Sequence, residues 1–217
     1  MKRDVEEIDH ENDTWLDLYV ATGISFYTVV PEVFESHGVI HNVFFSSSGS
    51  SPLLSFSEEI PNSDQYGFSI AKGDYNNDGF PDLVETNADE EQVFLWENKT
   101  INNNNWIKIN LEGDESNRDG IGSVIEISSN GQTQYRYTHC GESYLAQNSK
   151  SEFFGLGDAS IIDSIKVTWL SGNVNIFKDI EVNQTFNITE ESSSLSNEDV
   201  NELKLSFYPN PTNEILN

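Results

Sequence analysis

Residues 66–87 read YGFSIAKGDYNNDGFPDLVETN. The flanks, Gly67-Phe68-Ser69-Ile70-Ala71 and Leu83-Val84-Glu85-Thr86, are short apolar runs bounded by Gly, Asp and Asn. That pattern predicts strands, not helices. Between them lies a tight loop from Asp74 to Asp82. Oxygen-bearing side chains at alternate positions of such a loop point into one space. Gly79 suits a sharp turn because it tolerates positive φ. An all-oxygen set is what a hard cation needs, and calcium takes about six to eight oxygen ligands. The candidate ligands are the side chains of Asp74, Asn76, Asp78 and Asp82, with the backbone carbonyl of Phe80.

The same spacing occurs once more, 65 residues upstream, in DHENDTWLDL from Asp9 to Leu18. Acids or Asn stand at loop positions 1, 3, 5 and 9, an aromatic at 7 and Leu at 10. The equivalent ligands are Asp9, Glu11, Asp13 and Asp17, with the carbonyl of Trp15. Here Thr14 replaces the glycine, and Glu11 is longer than Asn76. The second loop also satisfies the EF-hand spacing, with Glu85 at position 12. The flanks read as strands, Pro81 sits in the loop's second half, and Val20 holds position 12 in the other copy. The expectation is therefore a calcium loop inside a β-hairpin, in both copies.

Outward from these loops the chain remains strand-like. Leu16–Val20, Gln92–Trp96, Trp106–Leu111 and Ser164–Trp169 alternate or form short apolar runs. Polar turn clusters separate them, and Asn130-Gly131, between IEIS and QTQYRY, predicts a two-residue hairpin. Helical periodicity is nearly absent. The fold class expected is all-β. Residues 1–100 carry the acidic loops, 101–190 form a second strand-rich region, 191–206 read as a polar linker and 207–217 as a short tail.

Charge narrows the partners. The 217-residue chain carries 37 acidic against 11 basic residues, a net −26. Nucleic acid needs clustered Lys and Arg, so it is excluded as a partner, and an anionic membrane surface is disfavoured for the same reason. No apolar run reaches the ~18 residues of a membrane span. A single cysteine, Cys140, excludes an intrachain disulfide. The start, MKRDVEEIDH, lacks the apolar core of a signal peptide. Catalytic signatures are missing: there is no G-x-S-x-G elbow, the four histidines lack metal-ligand spacing, and His139-Cys140 reads as a structural strand cysteine beside a histidine. Ser116-Asn117-Arg118-Asp119-Gly120 is the most concentrated polar motif of the second region, read as a loop held by turn bonds or as a carbohydrate or peptide contact.

Three resemblances follow from these motifs. YGFSIAKGDYNNDGFPDLVETN resembles an FG-GAP or VCBS repeat, the blade unit of integrin-type β-propellers. Over residues 1–98 the likeness implies one full repeat, part of another, and calcium on the positions named. Asn105-Trp106-Ile107-Lys108-Ile109, Ser116–Val124, Gly141–Ser149, Phe154-Gly155-Leu156-Gly157 and Val167–Gly172, in that order, resemble the ASPIC/UnbV domain across about residues 104–190. Leu205–Asn217, with Phe207-Tyr208-Pro209-Asn210-Pro211, resembles the opening of a type IX secretion C-terminal sorting domain. Together they imply a partial β-propeller followed by a β-sandwich-like ASPIC/UnbV domain, exported across the outer membrane by the type IX secretion machinery to the cell surface. The expected function is calcium-dependent adhesion, or recognition of a glycan or cell-surface protein, without catalysis. Further repeats and a signal peptide are expected upstream, since a propeller needs about four to eight blades to close. The rival readings are an accessory part of a polysaccharide-acting enzyme and a structural spacer for surface display.

Overall fold

The computed structural model describes residues 3–22, 43–47, 55–56, 67–87 and 93–191. Of the expected linker at 191–206, residues 192–206 lie outside the described residues, as does the tail 207–217. Every regular element among the described residues is a β-strand, as the alternation implies. The first half contains β1 (Arg3–Ile8), β2 (Asp17–Thr22), β3 (Val43–Ser46), β4 (Ser55–Phe56), β5 (Gly67–Gly73), β6 (Asp82–Asn87) and β7 (Phe94–Trp96). The second contains β8 (Asn105–Glu112), β9 (Val124–Ser129), β10 (Gln132–Tyr137), β11 (Glu152–Gly157), β12 (Ile161–Thr168), β13 (Val174–Glu181) and β14 (Gln184–Thr189).

In the first half two antiparallel sheets repeat one plan. One has the order β1-β2-β3-β4, the other β5-β6-β7. Leu18 pairs with Phe45 in the first, and its repeat equivalent Leu83 pairs with Trp96 in the second. The sheets share an apolar core of Ile8, Tyr19, Ala21, Phe44, Ile70 and Leu83, with Trp96 packed against it. Among the described residues these sheets do not close into a ring.

The second half is a sandwich. One sheet runs β10-β9-β12-β13 and the other β11-β8-β14, with β14 parallel to β8. Register explains the core: Ile127 pairs with Ile165 and Ile125 with Val167, so like faces line up. They meet Ile107 and Ile109 of β8, Phe154 and Leu156 of β11 and Ile188 of β14. Each such side chain, fully buried, stabilises by roughly 1.5–3 kcal/mol relative to exposure. The Asn130-Gly131 turn joins β9 to β10 with φ of 47° and 74°, the positive pair a two-residue hairpin requires.

The two halves interlock. β8 buries three consecutive residues, Ile107, Lys108 and Ile109, so both of its faces are covered. The core covers one face, and the second acidic loop lies against the other. A Cβ added at Gly79 would fall 1.9 Å from the Trp106 ring. One added at Gly155 would fall 2.0 Å from Asp9 Oδ2 and 2.5 Å from the Asn12 backbone. Gly157 N–H donates to the Asn12 carbonyl at 2.9 Å. Lys72 joins the same contact: its N–H donates to Asn148 Oδ1 at 2.8 Å, and its ammonium pairs with Glu6 at 2.8 Å.

Candidate metal centre

Both acidic loops connect hairpin strands, β1 to β2 and β5 to β6, and their bonds repeat at positions 1, 5 and 9. At position 1, Asp9 Oδ1 accepts from Asp13 N–H at 2.9 Å and Oδ2 from Thr14 N–H at 3.1 Å. Asp74 does the same with Asp78 and Gly79, at 3.1 Å each. At position 5, Asp13 accepts from Trp15 N–H and Asp78 from Phe80 N–H, both at 2.9 Å. At position 9, Asp17 accepts from His10 N–H at 3.2 Å and Asp82 from Tyr75 N–H at 3.0 Å. The other oxygen of each reaches the neighbouring strand's end: Asp17 takes Ser47 N–H, Asp82 takes Asn98 N–H, both at 2.7 Å.

The backbone repeats as well. Position 4 is left-handed in both loops, at Asn12 (φ 55°) and Asn77 (φ 59°). Position 6 is left-handed too, at Thr14 (φ 84°) and Gly79 (φ 90°). Asn adopts that region readily, whereas a β-branched residue there is strained. Thr14 therefore holds a conformation that suits glycine, fixed by its N–H on Asp9 and its hydroxyl 3.1 Å from Gln132 Oε1.

The loops differ in their surroundings. In the first, the imidazole of His10 lies 2.7 Å from Asp17 Oδ2 and 3.6 Å from Glu11. Two of the five proposed donors are thus engaged by one histidine. Burial pushes the Asp9 carboxyl up to about 7, outweighing the N–H bonds that hold it down. Burial also raises Asp13, and Asp82 in the second loop, above the ordinary carboxylate value. The second loop opens further to solvent: Asn76 and Asp78 are exposed. Asn76 Nδ2 donates to Asp78 Oδ2 at 2.8 Å, and the ammonium of Lys108 sits 3.0 Å from Asp74 Oδ2.

Among the described residues, no three His, Cys, Asp or Glu side chains converge as a metal-holding group. Amide and carbonyl oxygens, of Asn76 and Phe80, supply two of the five donors named in the second loop. A carboxylate has about four acceptor positions. Asp82 uses two for its N–H bonds. The donor chemistry of the second loop therefore fits a hard cation. In the first loop His10 competes for it.

Glu85 answers the EF-hand alternative. It is buried in the first-half core, where Oε2 accepts from Tyr19 Oη at 2.8 Å and Trp96 Nε1 at 3.0 Å. It ties the two sheets together and is no twelfth loop ligand. The flanks are β5 and β6, so no helix brackets the loop.

The polar motif of the second half is a braced turn. Asn117 clasps Ile121, accepting its N–H at 2.9 Å and donating to its carbonyl at 2.7 Å. Beneath it Glu190, buried, accepts from Asp114 N–H at 2.9 Å, Ser116 N–H at 2.7 Å and Asn173 Nδ2 at 3.0 Å, and from Ser116 Oγ and Ser171 Oγ. Arg118 and Asp119 face outward with Lys150, Asn110 and Asn187 along an open polar groove of about 510 Å³. Cys140 is exposed, and the rings of His139 and Tyr137 lie 4.9 Å apart.

Residues 113–195 match the family model for ASPIC and UnbV. No curated protein matches the chain. The ASPIC/UnbV segment begins directly after β8, so it takes in the braced turn, Glu190 and the sandwich strands from β9 to β14. The strand at the centre of the β11-β8-β14 sheet, which touches the acidic loop, lies outside it.

Lys108 and Glu190 had no signal as functional residues in the sequence, and Glu85 had one only as the EF-hand position that the strand flanks argue against. Lys108 stands between two core isoleucines, where alternation shows which way it points but not what it meets.

Proposed function

We propose that the chain is a calcium-binding, non-catalytic recognition module of the cell surface, its first half built from FG-GAP/VCBS blades. The observation that carries this reading is the repetition of the carboxylate bonds at positions 1, 5 and 9 in both acidic loops, together with the left-handed positions 4 and 6. Turn chemistry alone needs no such repetition of oxygens at positions 1, 3, 5 and 9. In the second loop Asp74, Asn76, Asp78, Asp82 and the Phe80 carbonyl would hold the ion. In the first, Asp9, Glu11, Asp13, Asp17 and the Trp15 carbonyl would do so more weakly, because His10 must give up Asp17. The ion's role is to neutralise carboxylates that burial leaves reluctant to ionise, so that binding stabilises the fold. The polar groove beside Arg118 and Asp119, with amides and both signs of charge, suits contact with a glycan or protein partner. Export by the type IX machinery and upstream blades belong to the same proposal.

One observation favours a second reading, that of a structural spacer: the loop carboxylates already accept backbone N–H groups and do not converge. Calcium titration by calorimetry decides between them, on the wild type, Asp78→Ala and Asp13→Ala. Two binding events, one lost in each variant, support the proposal. Loss of a single event with Asp78→Ala alone keeps only the second loop. No calcium heat at millimolar metal, together with equal melting in calcium and in chelator, rejects the calcium reading and leaves the spacer.

A further inference from the structure

β8 sends Ile107 and Ile109 into the sandwich core and Lys108 out of the opposite face. Lysines on such faces normally carry their ammonium to water. This one does not: its side chain is only 9 % exposed. Nζ ends 3.0 Å from Asp74 Oδ2 and 3.2 Å from Asn77 Oδ1, with the Phe153 ring centroid 5.8 Å away. A buried cation from a different strand thus stands at position 1 of the second acidic loop. It is no part of that loop's own turn chemistry.

We propose that Lys108 is a tethered competitor of calcium at the second loop, linking metal occupancy to the seating of the sandwich on the first half. The inference rests on the calcium reading of that loop. Asp74 has about four acceptor positions, of which two hold the N–H groups of Asp78 and Gly79 and a third holds Lys108. Calcium using Asp74 either displaces the ammonium or settles beside it, where like charges repel. In both cases a neutral side chain at position 108 raises calcium affinity. Coupling is reciprocal, so calcium weakens the hold of Lys108 on the loop by the same factor. Trp106, on the same face of β8, packs on Gly79 and would register that loosening.

The test titrates calcium chloride into the full chain and into Lys108→Met and Lys108→Gln. Met keeps the apolar stem beside Phe153, and Gln keeps a donor without the charge. Both variants are expected to bind calcium about tenfold more tightly or better, the effect of removing one nearby positive charge. Binding by the variants alone also supports the competitor role, while showing that the native loop is closed to calcium. Wild-type binding with equal or weaker affinity in both variants overturns the inference and leaves the calcium reading intact. No uptake by any of the three, each unfolding cooperatively, overturns both.

Discussion

Glu190→Gln tests the brace beneath the polar turn. From its place after β14 the carboxylate gathers five donors from two segments, Asp114 to Ser116 and the Ser171–Asn173 turn. Burial would raise its pKa, but these bonds outweigh burial and hold it at about 2. A fall of about 2.5 from the ordinary 4.5 corresponds to roughly 3 kcal/mol favouring the ionised form. Solvent screening at this surface turn trims the figure to about 2 kcal/mol. Gln keeps the shape and one acceptor oxygen. It turns an NH₂ towards groups that must donate, and Asn173 Nδ2 cannot rotate into an acceptor without flipping its amide. The expected loss is about 2–3 kcal/mol, or a drop of about 5–10 °C in melting temperature for a chain of this size. The sign follows from the depressed pKa: the contribution is full above about pH 4.5 and fades as pH falls towards 2. By pH 3 roughly half of it should be gone. Thermal melts of wild type and variant at pH 7 and pH 3 read both effects. A change below about 2 °C at pH 7, or a gap that fails to narrow at pH 3, would refute the reasoning.

Glu152 runs the other way. Burial pushes its carboxyl up to about 7, with Lys72 and Arg136 pulling it down and Glu142 and Glu6 pushing it up. A raised carboxyl pKa costs stability as pH climbs from 4.5 to 7, so Glu152→Gln should stabilise by about 2–3 kcal/mol at pH 8 and change little at pH 4.5. Urea unfolding at the two pH values checks this, and equal effects at both would contradict it. Gly155→Ala drives a Cβ onto Asp9 and the Asn12 backbone, and overpacking of this kind costs about 1–3 kcal/mol. Chemical denaturation should show the loss, and an unchanged midpoint would mean the halves do not interlock in solution. Tyr19→Phe removes a hydroxyl donor to buried Glu85 and should cost about 1.5–3 kcal/mol, read as a lower melting temperature. A silent substitution would mean that bond does not join the sheets.

The strands were legible because alternation is a local property. IEIS, NWIKI and SIKVTW each declare an inward face, and Asn130-Gly131 fixes one register outright. The loop chemistry was equally readable, since oxygens at alternate positions do not depend on tertiary context. The left-handed Asn12 and Asn77 could not be read, because Asn is common in many turns. Strand order was also hidden: β14 lies beside β8 in parallel, a pairing across more than seventy residues that no local pattern records. Gly155 did carry a signal, since glycine inside a strand often marks close backbone approach. What approaches it, the first acidic loop, comes from about 140 residues away in the chain. The division at residue 100 follows the motifs, while the contacts of Gly79, Lys108 and Gly155 cross it.

The parallel pairing of β14 with β8 has a mechanical consequence. If the chain is held at the cell surface by residues beyond Thr189, a load on that end pulls along the axis of β14. Its six register pairs, Gln184–Ile107 to Thr189–Glu112, then bear the load together in shear instead of opening one after another like a zip. Glu190 sits at the point where tension would enter and is bolted sideways to two loops. The last strand would then resist traction better than its length suggests. Pulling single molecules from residue 191 should show a high rupture force that falls when Glu190 is replaced, and a low, unchanged force would show that β14 peels.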